Sequence, residues 1–313
     1  MKKRMQTDKL LFLNDDQVRA TLSYDELIPA IRQALVDFSA GRVVQPVRTV
    51  MSVTGYGGWF AVMPAVYGGV MGAKMVTFYP GNVTLEKHTH MAMIQIFRSD
   101  TGEPLAVMDG RLITEMRTAA VSAVAVDRLA LPDAGVLGIL GSGVQARSHV
   151  QALSRVRGFR EIRVWSPTEE HSRRFADEVG ARATTAEAAV SGADVVLTLT
   201  SSPVPVLQGR WLKKDAVVCA VGAATPNRRE LDDEAMRGAV VVESREAAMR
   251  EAGDILLAKA QVSAEIGELL SGGVIETSGR PVVFKSVGIA IEDIAAAKLV
   301  YQAAVSDAGK MVV

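Results

Sequence analysis

The sequence predicts an α/β protein in which a doubly wound parallel sheet is joined to a second, β-rich domain. Three observations predict it. From residue 136 onward, short apolar runs alternate with helix-compatible segments, the pattern of a parallel sheet covered on both faces. The first of these runs, 136–140, leads directly into Gly141-Ser142-Gly143-Val144-Gln145-Ala146 and then a helix-compatible stretch. Residues 45–107, by contrast, read as strands punctuated by Gly and Pro, and they cannot belong to the parallel sheet.

In the G-x-G-x-x-A turn each small residue has a physical task. Gly141 lets the chain turn tightly off the strand, Gly143 lets backbone N–H groups approach a pyrophosphate, and Ala146 allows close helix–strand packing. The phosphates would sit at the positive end of the new helix. A second strand, Ile162-Arg163-Val164-Trp165, follows about 20 residues on, as a Rossmann-type dinucleotide site requires. A tight turn without a ligand is the bland alternative, and the strand–turn–helix–strand context argues against it.

The totals bound the function. The chain has 313 residues, 49% of them hydrophobic, enough core for one large or two ordinary domains. With 35 basic and 35 acidic side chains there is no electrostatic case for nucleic acid or an anionic membrane as partner. The lone Cys219, within an apolar run, cannot form an internal disulfide and fits a reducing, cytoplasmic setting. The N-terminal MKKRMQTDK is basic with no apolar run behind it, so no signal peptide is expected, and no stretch reaches membrane-spanning length.

Taken in order, residues 10–14 suit a short strand, and Asn14 caps a helix ahead of Val18 and Leu22. Ser23 with Glu26 starts a second helix, with Leu27, Ile31, Ala34, Leu35 and Phe38 on one face and Gly41 beyond its end. Strands are expected at 48–53, 59–63, 72–79, 91–97 and 104–108, followed by an Asp109-Gly110 turn and a long helix from Thr114 to Leu129. Thr118, Ser122 and Ala125 form a small-residue stripe on that helix. The α/β part then has helices at 167–179 and from Thr184, strands at 194–200, 216–221, 240–242 and 282–284, and a final Ala-rich helix over 293–305. The run Arg228 to Glu234 suits a solvated helix start.

Three cations stand out in the β-rich part: Arg48, Lys74 within an apolar strand, and Arg117 early in the long helix. Periodicity alone makes Arg48 and Lys74 outward-facing strand residues. The functional alternative is a carboxylate clamp, since a buried cation needs a partner and Arg presents two parallel donors to a carboxylate. His88, His90, His149 and His171 have no Cys or carboxylate cluster beside them, so no metal is expected, though any imidazole is a candidate acid.

Several segments together carry a family likeness: Gln45-Pro46-Val47-Arg48-Thr49-Val50, Val62-Met63-Pro64-Ala65, Lys74-Met75-Val76-Thr77-Phe78-Tyr79, Ala106-Val107-Met108-Asp109-Gly110, Arg117-Thr118-Ala119-Ala120-Val121-Ser122-Ala123, the 141–146 turn, Ala220-Val221-Gly222-Ala223, Arg229-Glu230-Leu231-Asp232-Asp233-Glu234 and Phe284-Lys285-Ser286-Val287-Gly288. In this order they resemble the ornithine cyclodeaminase/μ-crystallin family over nearly the whole chain, closest to its μ-crystallin, or ketimine reductase, branch. The resemblance implies a substrate-binding and dimerisation domain over 1–124, rejoined by a C-terminal helix at 294–313, and a dinucleotide-binding domain over 125–293. It implies a homodimer. It implies that Arg48, Lys74 and Arg117 hold a substrate carboxylate, with Thr89 and His90 at the mouth of the same pocket. It places Thr118, Gly141, Gly143, Val144 and Gln145 at the cofactor phosphates and Ser166 and Thr168 at the adenosine ribose, with Thr200, Val221, Gly222 and Val287 also in the cofactor site.

One departure matters. Related cyclodeaminases and alanine dehydrogenases resemble one another in having an Asp where this chain has Ala224, so deamination lacks its expected base here. The implied activity is NAD(P)H-dependent reduction of a small cyclic ketimine carboxylate, of the pyrroline-2-carboxylate or piperideine-2-carboxylate type, to a cyclic L-amino acid. Lys74 is the expected proton source and His90 the runner-up. Met63, Tyr79 and Val287 are candidate walls of the substrate pocket. NADPH is expected ahead of NADH, because Ser166-Pro167-Thr168 offers hydroxyls and no carboxylate to repel a 2′-phosphate, although μ-crystallins resemble one another in having Arg at the position of Pro167. Arg173 and Arg174 lie on the following helix. The competing readings are an ornithine cyclodeaminase or amino-acid dehydrogenase, and, in another class, a small-ligand-binding protein without turnover.

Overall fold

The structure is a computed structural model describing residues 10–310; the basic N-terminal nonapeptide and residues 311–313 lie outside the described residues. The chain folds as two compact units. The first comprises the chain up to Ala34, Gly41–Arg117 and everything from Ile289; the second comprises Leu35–Ala40 and Thr118–Gly288.

The first unit begins with β1 (Leu11–Leu13), α1 (Asp15–Thr21) and α2 (Tyr24–Ser39), whose last turn lies in the second unit. Asn14 caps α1 through a reciprocal capping box with Gln17, so the first orphan amide donors of the helix are satisfied. A meander follows: β2 (Thr49–Val53), β3 (Gly58–Tyr67), β4 (Val70–Phe78), β5 (His90–Arg98) and β6 (Pro104–Asp109). With β1 they form a six-stranded sheet, antiparallel except for the β1–β6 pair. Alternation gives this sheet two faces. Ala61, Met63, Ala65, Lys74, Val76, Ile94, Ile96, Ala106 and Met108 are buried on one. Met51, Val66, Met91 and Met93 are exposed on the other, with Phe60, Val62 and Met75 between them by register.

Helix α3 (Arg111–Leu129) crosses the division between the units at Arg117/Thr118. It starts a turn earlier than Thr114, because the Asp109 carboxylate accepts the Arg111 N–H at 2.9 Å and makes the expected turn a helix cap.

The second unit holds β7 (Val136–Leu140), α4 (Val144–Leu153), β8 (Glu161–Trp165), α5 (Glu169–Val179), β9 (Arg182–Ala183), α6 (Ala186–Val190), β10 (Val195–Thr198), β11 (Val217–Ala220), β12 (Ala239–Val242), α7 (Arg245–Glu251), α8 (Gly253–Ala258), β13 (Val262–Glu265), α9 (Ile266–Leu270) and β14 (Val282–Lys285). Its eight strands are all parallel, in the order β13-β12-β14-β11-β10-β7-β8-β9. This is a Rossmann-type doubly wound sheet, with the strand order reversing between β7 and β10, where such sheets bind ligands beyond their strand ends. Strands β7, β10, β11, β12 and β14 are buried throughout, which explains their apolar sequences, broken only at the strand ends by Thr198 and Lys285. The sequence assigned nothing over 245–270, where α7, α8, β13 and α9 form, because these elements are four to seven residues long, too short to show a period.

The expected helix at Arg228–Glu234 does not form. Glu230 and Leu231 are fully buried there, and the Asp254 carboxylate takes both their N–H groups at 2.7 and 2.9 Å. The chain closes with α10 (Ala290–Lys310), which belongs to the first unit and lies along β3, β4 and β5 of its sheet. No helix among the described residues is long and apolar enough to cross a membrane.

Gly138, in β7, tests how tightly the parallel sheet is packed. A Cβ there would come within 2.3 Å of the Ala189 carbonyl oxygen on α6. Gly138→Ala is expected to destabilise the protein by about 1–3 kcal/mol in urea unfolding, the usual cost of overpacking a core.

Candidate active site

Two groups of residues emerge, one in each unit. In the first unit, the alternation of β4 carries Lys74 to the buried face, opposite Met63 in register. Lys74 is only 1% exposed, so the outward-facing reading fails for it. Its Nζ lies 2.8 Å from Asp293 Oδ2, in the first turn of α10. Arg117, on α3 and also buried, donates from Nε to the other Asp293 oxygen at 3.0 Å and from Nη1 to Glu292 at 2.6 Å. One carboxylate therefore bridges the two cations. Asp293 and Glu292 also sit where the α10 dipole favours negative charge. Arg48, half-buried just before β2, is near enough for its charge to act on Lys74. The Gln45 side chain, three residues earlier, accepts the Ile291 N–H at 2.8 Å and ties this segment to the start of α10.

These charges set the titration. Burial pushes the Lys74 amine down, the positive charge of Arg117 pushes it further, and Asp293 resists; the pKa settles at about 8. His90 opens β5, its ring 4.5 Å from that of Phe78 and edge-on to Trp59. Its pKa is held down to about 4 by desolvation of the ring and by the charges of Lys74 and Arg117. The imidazole is therefore neutral at pH 7. Lys74, not His90, is thus the group able to deliver a proton near neutrality. Sequence reasoning missed Asp293 and Glu292 as site residues. Two adjacent acids opening an otherwise Ala-rich, apolar helix were the signal, and they resembled an ordinary helix start.

In the second unit, Gly141 has φ 117°, a conformation that side chains rarely adopt, and a Cβ there would meet the Leu199 carbonyl oxygen at 2.7 Å. Gly143 has an ordinary φ and open space where its Cβ would point. The turn therefore has the shape to admit a phosphate group. Ala146 is fully buried, Val144 exposed and Gln145 half-buried. His149, on α4, is fully buried: its Nδ1 lies 2.7 Å from the Gln145 carbonyl oxygen and its Nε2 3.0 Å from Ser122 Oγ. Since a carbonyl only accepts, the network assigns the proton to Nδ1 and leaves Nε2 to accept from Ser122. Burial holds this imidazole down, to about 4, and pushes the Cys219 thiol up, to about 12, so both stay neutral. Thr118 is buried within the same stripe of α3.

Ser166 is half-buried and Thr168 exposed in the loop after β8, and Thr168 precedes α5 without using its hydroxyl as a cap. Arg173 is ion-paired to Glu169 on the surface of α5. The Thr200 N–H and hydroxyl both donate to Glu230, at 2.7 and 2.6 Å, and the hydroxyl accepts the Ser202 N–H, leaving mainly the methyl and carbonyl for any cofactor. Gly222, beside Val221, has no room for a side chain: a Cβ would fall 2.3 Å from the Thr200 carbonyl oxygen and 2.4 Å from the Glu230 carboxylate. Lys285 donates to the Gly222 carbonyl and pairs with Asp254 at 2.9 Å. Glu230 itself has its pKa raised by burial, against the pull of Lys285 and the Thr200 hydrogen bonds. The Val287 N–H donates to buried Glu243 at 3.2 Å. Ala224 is exposed on the loop after β11. Among the described residues, no three His, Cys, Asp or Glu side chains cluster as metal ligands.

A Rossmann-type unit with an open glycine turn, and a second unit with a buried cationic cluster, define a dinucleotide-binding type of protein. Comparison specifies it. The model of the ornithine cyclodeaminase/mu-crystallin family matches residues 8–308, and the chain belongs to that family. A ketimine reductase mu-crystallin of Mus musculus is 45% identical over 300 residues, covering 93% of this chain and 96% of its own. The Thermococcus litoralis Delta(1)-pyrroline-2-carboxylate reductase, solved with NADH and L-proline, superposes with a TM-score of 0.90 at 30% identity, over 96% of this chain and 98% of its own. An archaeal alanine dehydrogenase dimer with bound NAD superposes with a TM-score of 0.89 at 32% identity, over 95% and 97%.

Asp293→Ala leaves buried Lys74 without its carboxylate and removes one of the two that hold Arg117; it is expected to cost about 3–5 kcal/mol in chemical unfolding, the usual penalty for breaking a buried ion pair. Asp293→Asn keeps the shape and loses the charge. It is expected to lower the Lys74 pKa further, readable by NMR titration of the lysine Nζ or Cε.

Proposed function

We propose that this protein reduces cyclic ketimine carboxylates, of the pyrroline-2-carboxylate or piperideine-2-carboxylate type, to cyclic L-amino acids. The chain is an NAD(P)H-dependent oxidoreductase acting on C=N bonds. The observation that carries the finer reading is Lys74, a buried amine with its pKa near 8 between two arginines and a carboxylate. When bound, a reduced nicotinamide would supply the hydride that the imine carbon accepts. Arg48 and Arg117 hold the substrate carboxylate and fix which face of the ring is presented. The Lys74 ammonium gives a proton to the ring nitrogen, is left as a neutral amine, and is recharged from solvent. Asp293 keeps that amine in place and mostly protonated at pH 7. His90, neutral there, lines the mouth. Ala224 supports reduction over ornithine deamination, because position 224 has no carboxylate to act as base.

In the second unit, Thr118, Gly141, Gly143, Val144 and Gln145 are proposed to face the phosphates, Ser166 and Thr168 the adenosine ribose, and Thr200, Val221, Gly222 and Val287 the rest of the cofactor. NADPH is proposed as preferred, with NADH also used, because Ser166 follows β8 with no carboxylate for a ribose 2′-hydroxyl. The β-rich unit is proposed as the substrate and dimerisation domain. Two copies would pair through the sheet face carrying Met51, Met75, Met91 and Met93, a broad apolar surface of the kind that marks an interface.

The deciding experiment follows reduced-nicotinamide oxidation with piperideine-2-carboxylate, beside ornithine with NAD. Turnover with the ketimine and none with ornithine is expected; ammonia release from ornithine would overturn the reading. Lys74→Met should lower turnover by about 10²–10⁴, the usual contribution of a positioned acid, with cofactor affinity intact. The acid works as ammonium, so kcat/KM should hold below pH 8 and fall as pH rises through about 8. In sedimentation, Met75→Asp/Met93→Asp should convert a dimer to a monomer; a dimer that survives both charges would place the interface elsewhere.

A further inference from the structure

Arg147 lies on α4, one turn beyond the glycine turn, and each of its donors has a protein partner. Its Nη1 donates to the Ser142 carbonyl at 3.0 Å and to the Gly143 carbonyl at 3.3 Å. Its Nε donates to both Glu178 oxygens, at 2.9 and 2.8 Å, and its Nη2 lies 2.6 Å from the same carboxylate. The guanidinium carbon sits 5.4 Å from the ring centroid of Phe175, which is fully buried. Glu178 and Phe175 both come from α5, so a neighbouring helix holds the arginine in one orientation.

The consequence is for the peptide planes. In a trans peptide the carbonyl and the following N–H point in opposite directions, and there are no cis peptides among the described residues. Drawing the Ser142 and Gly143 carbonyls toward Arg147 therefore turns the N–H groups of Gly143 and Val144 the other way. Among the described residues no backbone acceptor takes either N–H, and the space beside Gly143 is open. Two amides aimed together at the start of a helix make an anion-binding concavity. We infer that Arg147 is a positioning residue for the cofactor pyrophosphate: it orients the amides that bind the phosphates without touching them itself. This rests on the reading of 141–146 as the phosphate turn. Because Glu178 offsets its charge, Arg147 acts through geometry more than through attraction. Lysine cannot replace it, since a single ammonium cannot bridge two carbonyls while stacking on Phe175 and pairing with Glu178.

The test measures NADPH and NADH affinity by fluorescence titration at low and high salt, with turnover and melting temperature, in the full-length protein and in Arg147→Met, Arg147→Lys and Glu178→Gln. In Arg147→Met the dissociation constant should rise about tenfold to a hundredfold, the factor expected from losing hydrogen bonds to a charged group. That factor should be similar at both salt concentrations, and turnover at saturating cofactor should fall far less. Arg147→Lys should recover only part of the affinity. The surface change Glu178→Gln should weaken binding by about threefold, in line with an exposed ion pair. Unchanged affinity in Arg147→Met and Glu178→Gln would overturn the inference. So would full recovery in Arg147→Lys with a steep salt dependence, which would mean direct contact with phosphate. A wild-type protein that binds neither dinucleotide would overturn the phosphate-turn reading and this inference with it.

Discussion

The first unit depends on one carboxylate. Asp293 uses one oxygen for Lys74 and the other for Arg117, and all three side chains are buried. Without it, β4 would carry Lys74 into the core without its carboxylate, and Arg117 on α3 would lose one of the two carboxylates that hold it. The same carboxylate decides the chemistry. Burial and Arg117 drive the Lys74 amine toward neutrality while Asp293 opposes them, and the balance near 8 gives an amine that is charged at neutral pH yet gives up its proton readily. Buried ion pairs are weak evidence of stability. This one is better understood as a device for setting a proton's affinity.

The second unit uses buried charge differently. Glu230, Glu243, Asp254 and Lys285 are completely buried around the ends of β10, β11, β12 and β14, and each has at least one backbone partner. Glu230 holds Thr200, Asp254 holds the chain at Glu230 and Leu231, Lys285 holds the Gly222 carbonyl, and Glu243 holds the turn at Val287. The loops at a strand-end crevice must expose backbone to a ligand, so they cannot be fixed by packing alone. Charge-assisted hydrogen bonds fix them while leaving the ligand side clear.

How much of this was legible follows from which signals are local. The glycine turn, β7 and β8 could be read because turn chemistry and strand pattern occupy adjacent residues. The β-rich unit was legible from its Gly and Pro punctuation, down to most strand ends. Lys74 was visible as a cation in an apolar strand, but its direction was not, because its partner lies more than 200 residues away on α10. Glu230 was misjudged for the same reason: a string of charges looks solvated until Asp254, Lys285 and Thr200 close around one member of it. The family resemblance supplied roles for Arg48, Lys74 and Arg117 that periodicity alone would have denied to two of them. It did not supply Asp293.

Ala224 then limits what the site can do. The loop around it keeps its shape: Gly222 is wedged between Thr200 and Glu230, Ala223 has a left-handed backbone, and Lys285 holds the carbonyl between them. What is absent at 224 is a carboxylate, not a conformation. Deamination of an amino acid begins by removing a proton from an ammonium group, which needs a base stronger than anything left in the first unit near pH 7. Lys74 is then mostly protonated, and His90, with a pKa near 4, is neutral but too weak. Reduction of a preformed imine makes the opposite demand, for a donor and no base. On the proposed assignment, the protonation states of Lys74 and His90 would meet that demand at the pH where they fail the other.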